Sequence, residues 1–550
     1  MFRFILTFCA VALIVGCSDQ KKSSKLQQVY THPPNAPSDL KALTVQPRSV
    51  TLSWLDNSSD EDGFILQRDT DPNFTNPTDF SVPAGGGSTV TYTDTTVMQT
   101  TQYYYRVKAF NKAGDSGWSN VCAVKTSQEY LLWGGAGDES AIAFFEDSGE
   151  FWLVGTTDSF GKSDGAVFFA KLNSGWDLQG SWVWSLGGYK VAATKALYQG
   201  GRIFVAGTIT DPSADTTDIL LLAFDTQAQK IVWQESLDVF GESEAANDLV
   251  WDGSALWVVG SGVAGKIAGQ YPQSDIFVLK VDAADGSVLT GYQIGGSILF
   301  GTVPTLDAAG GANIDGSTLT VCGSTILIDL SLNITPVLML LRFNTNNGSV
   351  SAWTYELGGA ATFASSVTTD GTSFFLAGAY TSDIQAVMNW LQNPSSTPPP
   401  TEPFIAKLTT SACEYMKVLS ISGMTSGAFE AIRLSGSTLY LGGGVTLSSS
   451  PAVLRLSCDK SAASVNAACW GAFSSAVALD SAGRLVGSTS DYNGSWQTIS
   501  VSSTAVSTSA KTVSFTSNSI TPMAQAVSGT LGAVNASTAG AGKTDALIVW

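Results

Sequence analysis

The chain has 550 residues, with 46 acidic against 28 basic side chains and a formal net charge of −18. That balance excludes non-specific nucleic-acid binding, which needs a dense basic footprint, while the length leaves room for more than one domain. The single histidine, His32, removes His-based acid–base catalysis, Ser-His-Asp triads and His-ligated metals from everything beyond it.

Residues 1–16 read as an export signal. Arg3 precedes an apolar run from Phe4 to Val15, too short for a transmembrane helix. The run ends in Ile14-Val15-Gly16-Cys17, which resembles the bacterial lipobox. The resemblance implies cleavage after Gly16 and acylation of Cys17. With Ser18 rather than Asp next, it also implies delivery to the outer membrane. Two or more acyl chains make a stable anchor where one would be marginal. Residues 17–33 are polar and lack periodicity, and read as a flexible tether. No later stretch is long and apolar enough to span a bilayer as a helix.

Residues 34–127 contain PSDLKAL (37–43), VTLSW (50–54), DGFILQR (62–68) and YYYRVKAFNKAGDSGWSN (103–120). VTLSW alternates as a half-buried strand should, which puts Trp54 between two sheets. The segment resembles a fibronectin type III domain, and the resemblance implies that Tyr103 forms the family's tyrosine corner. Asp60, Asp62 and Gly63, with Ser58 and Asp69, faintly echo a calcium loop. A polar loop leading into the GFILQR strand explains them better.

Residues 128–550 repeat one phrase eight times, an apolar strand ending on a small residue: FWLVGTT, IFVAGTI, LWVVGSG, LTVCGST, FFLAGAY, LYLGGGV, RLVGSTS and LGAVNAS. The key positions are Gly155, Gly207, Gly260, Gly323, Gly378, Gly442, Gly487 and Asn535, about 45 to 64 residues apart. Before each phrase comes a strand of small residues, such as AATKALY (192–198) or AANDLVW (245–251). After it comes a continuous apolar strand such as LLLAF (220–224), buried on both faces, then a strand ending near an aromatic residue such as Trp184 or Trp353. The pattern resembles SBBP and related bacterial β-propeller repeats, with a weaker similarity to quinoprotein-type repeats. YLLWGGAG (130–137) matches the end-of-repeat phrase VWSLGG (183–188), and ALIVW (546–550) is a third strand with nothing after it. The first strand therefore completes the last blade, and closure removes the sheet edge. The expected fold is all-β: a fibronectin type III β-sandwich, then a closed β-propeller of eight four-stranded blades, with seven as the alternative.

Gly161-Lys162-Ser163 and Gly542-Lys543-Thr544 end like a P-loop, but Thr156 and Ser537 stand where its first glycine belongs. Lys171, Lys280, Arg342, Lys407 and Arg455 share one slot near the ends of the third strands. They either line one rim or snorkel towards nearby acids, and the second reading is preferred. Cys458 and Cys469 flank a short segment between strands, so an exported hairpin can bridge them; buried free thiols are the equal alternative. The longest insertion, 380–402, carries a short amphipathic helix with Met388, Trp390 and Leu391, followed by a Pro-rich stretch.

These features point to a non-enzymatic lipoprotein, anchored through Cys17 to the outer membrane and facing the periplasm or the surface. Its propeller would bind a protein or polysaccharide partner, with Met388, Trp390 and Leu391 in the partner-binding loop and no catalytic, cofactor or metal residues. The alternatives are an outer-membrane assembly scaffold and a quinoprotein-like or carbohydrate-active propeller enzyme.

Overall fold

The computed structural model describes the backbone from residue 31 to residue 549 apart from short stretches, the longest being 490–495 and 534–544, and side chains as far as residue 488 with similar omissions. Cys17 lies outside the described residues. The chain divides into two compact units between Glu129 and Tyr130.

The first unit is a two-sheet sandwich. Strands Ser38–Gln46, Ser49–Leu55 and Thr89–Asp94 form one sheet. Thr78–Pro83, Gly63–Asp69 and Gln102–Asn111 form the second, with Gly114–Asp115 and Cys122–Lys125 beyond Gln102–Asn111. Alternation decides which side chains enter the core: along Gln102–Asn111 Tyr103, Tyr105, Val107 and Ala109 are buried, and the residues between them are partly exposed. Trp54 is 1% exposed and meets Phe64 edge to face, ring centroids 5.6 Å apart.

In the second unit six sheets each take four consecutive antiparallel strands. Sheet 1 begins with Glu139–Asp147 and ends with Leu178–Ser185. Sheet 2 runs from Lys190–Gln199 to Lys230–Asp238, and sheet 3 from Glu244–Trp251 to Val288–Ile298. Sheet 4 runs from Leu306–Asp315 to Val350–Glu356, sheet 5 from Ala361–Thr369 to Cys413–Ile421, and sheet 6 from Met424–Ser435 to Val465–Gly471. Sheet 7 consists of Phe473–Leu479, Leu485–Thr489, Asp545–Val549 and Tyr130–Trp133. The expected pairing of the first strand with the last is present, Leu547 standing opposite Leu132. The first strand of each sheet touches that of the next, and the first strand of sheet 7 touches that of sheet 1. The third strands are buried on both faces, as their apolar runs require; Phe168, Phe169, Leu220, Leu222, Leu338 and Leu340 are fully enclosed.

The expectation of eight four-stranded sheets is corrected. The described residues of this unit form seven, because the segment read as most of an eighth goes elsewhere. Trp496–Ile499 pairs with the fourth strand of sheet 6, and Val501–Ala505 with that of sheet 5. Ser509–Val513, Phe515–Ile520, Met523–Ala526 and Thr530–Ala533 pair with the fourth strands of sheets 4, 3, 2 and 1 in turn. Each is a fifth, antiparallel strand on an outer edge, four to six residues long. LGAVNAS thus begins in the last of these edge strands, and its Asn535 lies outside the described residues. The ALIVW strand is third in sheet 7, not in an eighth sheet.

Candidate functional site

The repeated glycine has a local cause that leads to the site. In each first strand the ladder slips beside it. Ala141 faces Gly155 and Ala143 faces Val154, leaving Ile142 unpaired in the ladder. The same slip leaves out Thr194, Asn247, Ser365 and Glu430 in sheets 2, 3, 5 and 6, and Gly310-Gly311 in sheet 4. A β-bulge bends the strand and re-aims the extra residue. It also pushes a carbonyl across the sheet: a Cβ on Gly155, Gly207, Gly260, Gly323, Gly378 or Gly443 would strike the carbonyl oxygen of Ser140, Ala192, Ala245, Ala308, Phe363 or Ala428. In sheet 6 the glycine facing the bulge is Gly443, opposite Phe429, one position after the expected Gly442.

The bulged residues converge. Ile142, Thr194, Asn247, Gly310, Ser365 and Glu430 line one open cavity of about 350 Å³, joined by Lys195 and by Phe363 and Phe429. Hydrogen bonds between sheets fix its wall. Thr194 Oγ1 donates to Ala246 O at 2.9 Å, and Ser365 Oγ donates to Phe429 O at 2.5 Å. Ala193 N donates to Thr156 Oγ1 at 2.8 Å, and Ala312 N to Asp248 Oδ2 at 2.7 Å. Glu430 is enclosed by protein yet open to solvent through the cavity; desolvation raises its pKa, and Lys195 partly opposes the rise. Sequence reasoning missed these residues. The signal was there: the position after the pair differs in kind from sheet to sheet, whereas the pair itself is two small residues in four of the six, Ser140-Ala141, Ala192-Ala193, Ala245-Ala246 and Ala308-Ala309.

A buried carboxyl lies at the start of the first strand of sheet 3. Glu244 is 2% exposed; its Oε1 accepts from Phe240 N at 3.0 Å, and its Oε2 has no partner among the described residues. Burial, with a smaller push from Asp238, raises its pKa from 4.5 to about 7. Below about pH 4.5 the folded and unfolded chains both carry this proton, so the group adds no penalty. As pH rises towards 7 the unfolded chain releases the proton and the folded one keeps it, and stability falls by up to about 3 kcal/mol before levelling off. Glu244→Gln should therefore flatten the melting temperature between about pH 5 and pH 8 and raise it at the upper end. An unchanged slope would show that the carboxyl ionises freely in the fold.

Three of the five third-strand basic residues follow the preferred reading. Lys171 pairs with Glu150 at 2.8 Å, Lys280 with Asp252 at 3.5 Å and Lys407 with Glu414 at 2.6 Å. Their ammonium groups also lie over the rings of Trp152, Trp257 and Phe375, and the Arg342 guanidinium lies over Phe374. The disulfide expectation is corrected. Cys458 is a buried free thiol, pushed up to about 11 by burial, and stands opposite Val465, while Cys469 stands opposite Leu454. Four positions of strand separate the two cysteines, about 13 Å at some 3.3 Å per residue, beyond the roughly 7 Å that a disulfide spans between Cα atoms.

The insertion does form a helix, Ile384–Gln392, between the second and third strands of sheet 5. Asp383 caps it, Oδ1 accepting from Ala386 N at 2.8 Å, and Val387 is buried. The side chains of Met388, Trp390 and Leu391 lie outside the described residues. Gly161-Lys162-Ser163 sits in a turn between two strands, where Lys162 N donates to Ser159 O; 542–544 lies outside the described residues. Among the described residues no group of three or more acids, cysteines or histidines is placed to hold a metal. Asp69 instead accepts from the backbone of Asp71 and Asn76, and Asp60 from Asn111.

In the first unit Met98 N donates to Tyr103 Oη at 2.9 Å, the tyrosine-corner bond. Asp94, buried, accepts from Arg68 at 2.7 Å and from Tyr105 Oη at 3.0 Å. The Arg106 guanidinium lies between the rings of Phe74 and Trp118, 4.1 and 4.2 Å from their centroids. Residues 35–125 match the family model of the fibronectin type III domain. This segment is a fibronectin type III domain. Among solved structures, one titled "Myokine structure" is 22% identical over 17% of this chain and 99% of its own, with a TM-score of 0.15. An Fn3-like protein from Clostridium thermocellum is 22% identical over 17% of this chain and 92% of its own, with a TM-score of 0.14. No curated protein matches the chain.

Proposed function

We propose that the chain is a non-enzymatic lipoprotein, acylated on Cys17 and anchored to the outer membrane. In this reading the fibronectin type III domain is a spacer or adhesive module, and the second unit is a closed seven-bladed β-propeller that binds a protein or polysaccharide partner. The blades are the SBBP-like repeats, one fewer than the eight phrases suggest.

The route of the C-terminal segment is the observation that carries the ring. It leaves sheet 7 at Thr489, adds an edge strand to sheets 6, 5, 4, 3, 2 and 1 in that order, and re-enters sheet 7 at Asp545. Between successive edge strands it has at most three residues, so neighbouring outer edges are close together. A tour that ends where it began, in short steps, is what a closed ring of sheets gives. The fibronectin type III domain supports a binding role, since such domains space or bind and rarely catalyse.

The anchor is tested first. Cys17→Ser should move the protein from membrane to soluble fractions and abolish fatty-acid labelling, because a single change removes the acyl acceptor. Unchanged membrane association would sink the lipoprotein reading. Protease treatment of intact cells then distinguishes a surface-facing chain from a periplasmic one.

A further inference from the structure

We propose that the cavity where the first strands of sheets 1 to 6 converge binds a small zwitterion of amino-acid size, with Lys195 meeting its carboxylate and Glu430 its ammonium. This site is separate from the partner surface proposed above and needs neither the anchor nor the ring to be correct.

Size comes first. About 350 Å³ falls at the lower end of small-ligand sites, roughly 300 to 1,000 Å³, and is too small for a folded partner. Chemistry comes second. Voids that serve packing alone are apolar and stay dry, whereas this wall carries two hydroxyls, an amide, an ammonium and a carboxyl. Thr194 and Ser365 already spend their hydroxyl protons on carbonyls of the next sheet, which leaves their oxygens able only to accept. The bulges that aim these groups are pinned by the same bonds, so the wall is preformed and binding orders little of it.

The charges select the ligand. Lys195 comes from sheet 2 and Glu430 from sheet 6, and among the described residues neither belongs to an ion pair. Lys195 nonetheless counts among the influences on the Glu430 carboxyl, so the two groups share one electrostatic environment without contact. A simple anion would meet Lys195 and leave Glu430 facing it as a like charge; a simple cation would do the reverse. A molecule that carries both a carboxylate and an ammonium satisfies both groups. Phe363 and Ile142 leave apolar room for a side chain.

The test uses the full chain in detergent and calorimetric titration with each of the common free amino acids. It also uses the amide of the best one, which keeps only the ammonium, and its N-acetyl form, which keeps only the carboxylate. Saturable binding of at least one amino acid is expected, weakened on the order of tenfold or more by loss of either ligand charge. Lys195→Met should erase the difference between the amino acid and its amide. Glu430→Gln should erase the difference between the amino acid and its N-acetyl form. Absence of saturable binding at about 10 mM of every amino acid would overturn the proposal, that concentration corresponding to under 3 kcal/mol of affinity. So would binding that ignores both ligand charges. If a variant fails to fold, the two truncated ligands still decide the outcome on the unaltered chain.

Discussion

A chain in which residues 490–544 are replaced by a two-residue Asn-Gly turn is expected to keep its seven four-stranded sheets and to self-associate at micromolar concentration. The deletion is geometrically mild. Thr489 stands directly opposite Asp545 in sheet 7, so the two cut ends lie about 5 Å apart and a tight hairpin joins them. What it removes is the fifth strand of six sheets. The effect on stability is the smaller one: each edge strand gains hydrogen bonds worth about 0.5–1.5 kcal/mol net apiece. Fixing its backbone costs about 1–2 kcal/mol per residue, and the two largely offset. The effect on association is the larger one. Six fourth strands, Leu178–Ser185 among them, would each present an unpaired row of N–H and C=O groups, a template for pairing with another chain. Sedimentation velocity across a concentration series should show a monomer for the intact protein and growing oligomers for the deletion. A deletion variant that stays monomeric would mean the edges are protected by something other than this segment. One that unfolds outright would mean the segment belongs to the core.

The second large effect is expected within three consecutive glycines. Gly443→Ala should destabilise the second unit by on the order of 3 kcal/mol, whereas Gly444→Ala should be neutral or slightly stabilising. A Cβ on Gly443 would strike Ala428 O, Ala428 C and Phe429 Cα, all backbone atoms of the bulged first strand, and no rotamer change can relieve that. A Cβ on Gly444, one residue on, points to the other face and meets nothing within 4 Å. Removing a glycine there only reduces the freedom of the unfolded chain. Thermal or denaturant unfolding of the two variants side by side is the measurement. Equal effects would mean that the bulge relaxes and the repeated glycine is dispensable. Gly207→Ala, facing Ala192 O and Ala193 Cα, should behave like Gly443→Ala.

Much of the architecture is legible without coordinates, for reasons that are local. Trp54 and the Tyr103-Tyr105-Val107 alternation lie inward because period two leaves a strand only two faces. The doubly buried third strands are visible as unbroken apolar runs, and the closing strand as a fragment of the repeat phrase at the wrong end of the chain. The slot shared by Lys171, Lys280 and Lys407 is also visible, because a long side chain at the end of a buried strand reaches the nearest acid.

Three matters were decided by tertiary structure alone. A strand's sequence states that it will pair, not with what; Val501–Ala505 and Leu485–Thr489 are equally strand-like, yet one adds to sheet 5 and the other builds sheet 7. The repeat count therefore overstates the sheets by one. Cys458 and Cys469 are close in sequence and lie on paired strands, but register sets them four positions apart. The cavity is the third case. Thr194, Lys195, Asn247, Ser365 and Glu430 come from four sheets and span more than two hundred residues of chain, and only the repeated bulge brings them together. Periodicity fixes which face of a strand is buried, because that depends on neighbours two residues away. Register depends on the turn that joins two strands, edge pairing and convergence on groups up to hundreds of residues distant, and those the fold alone assembles.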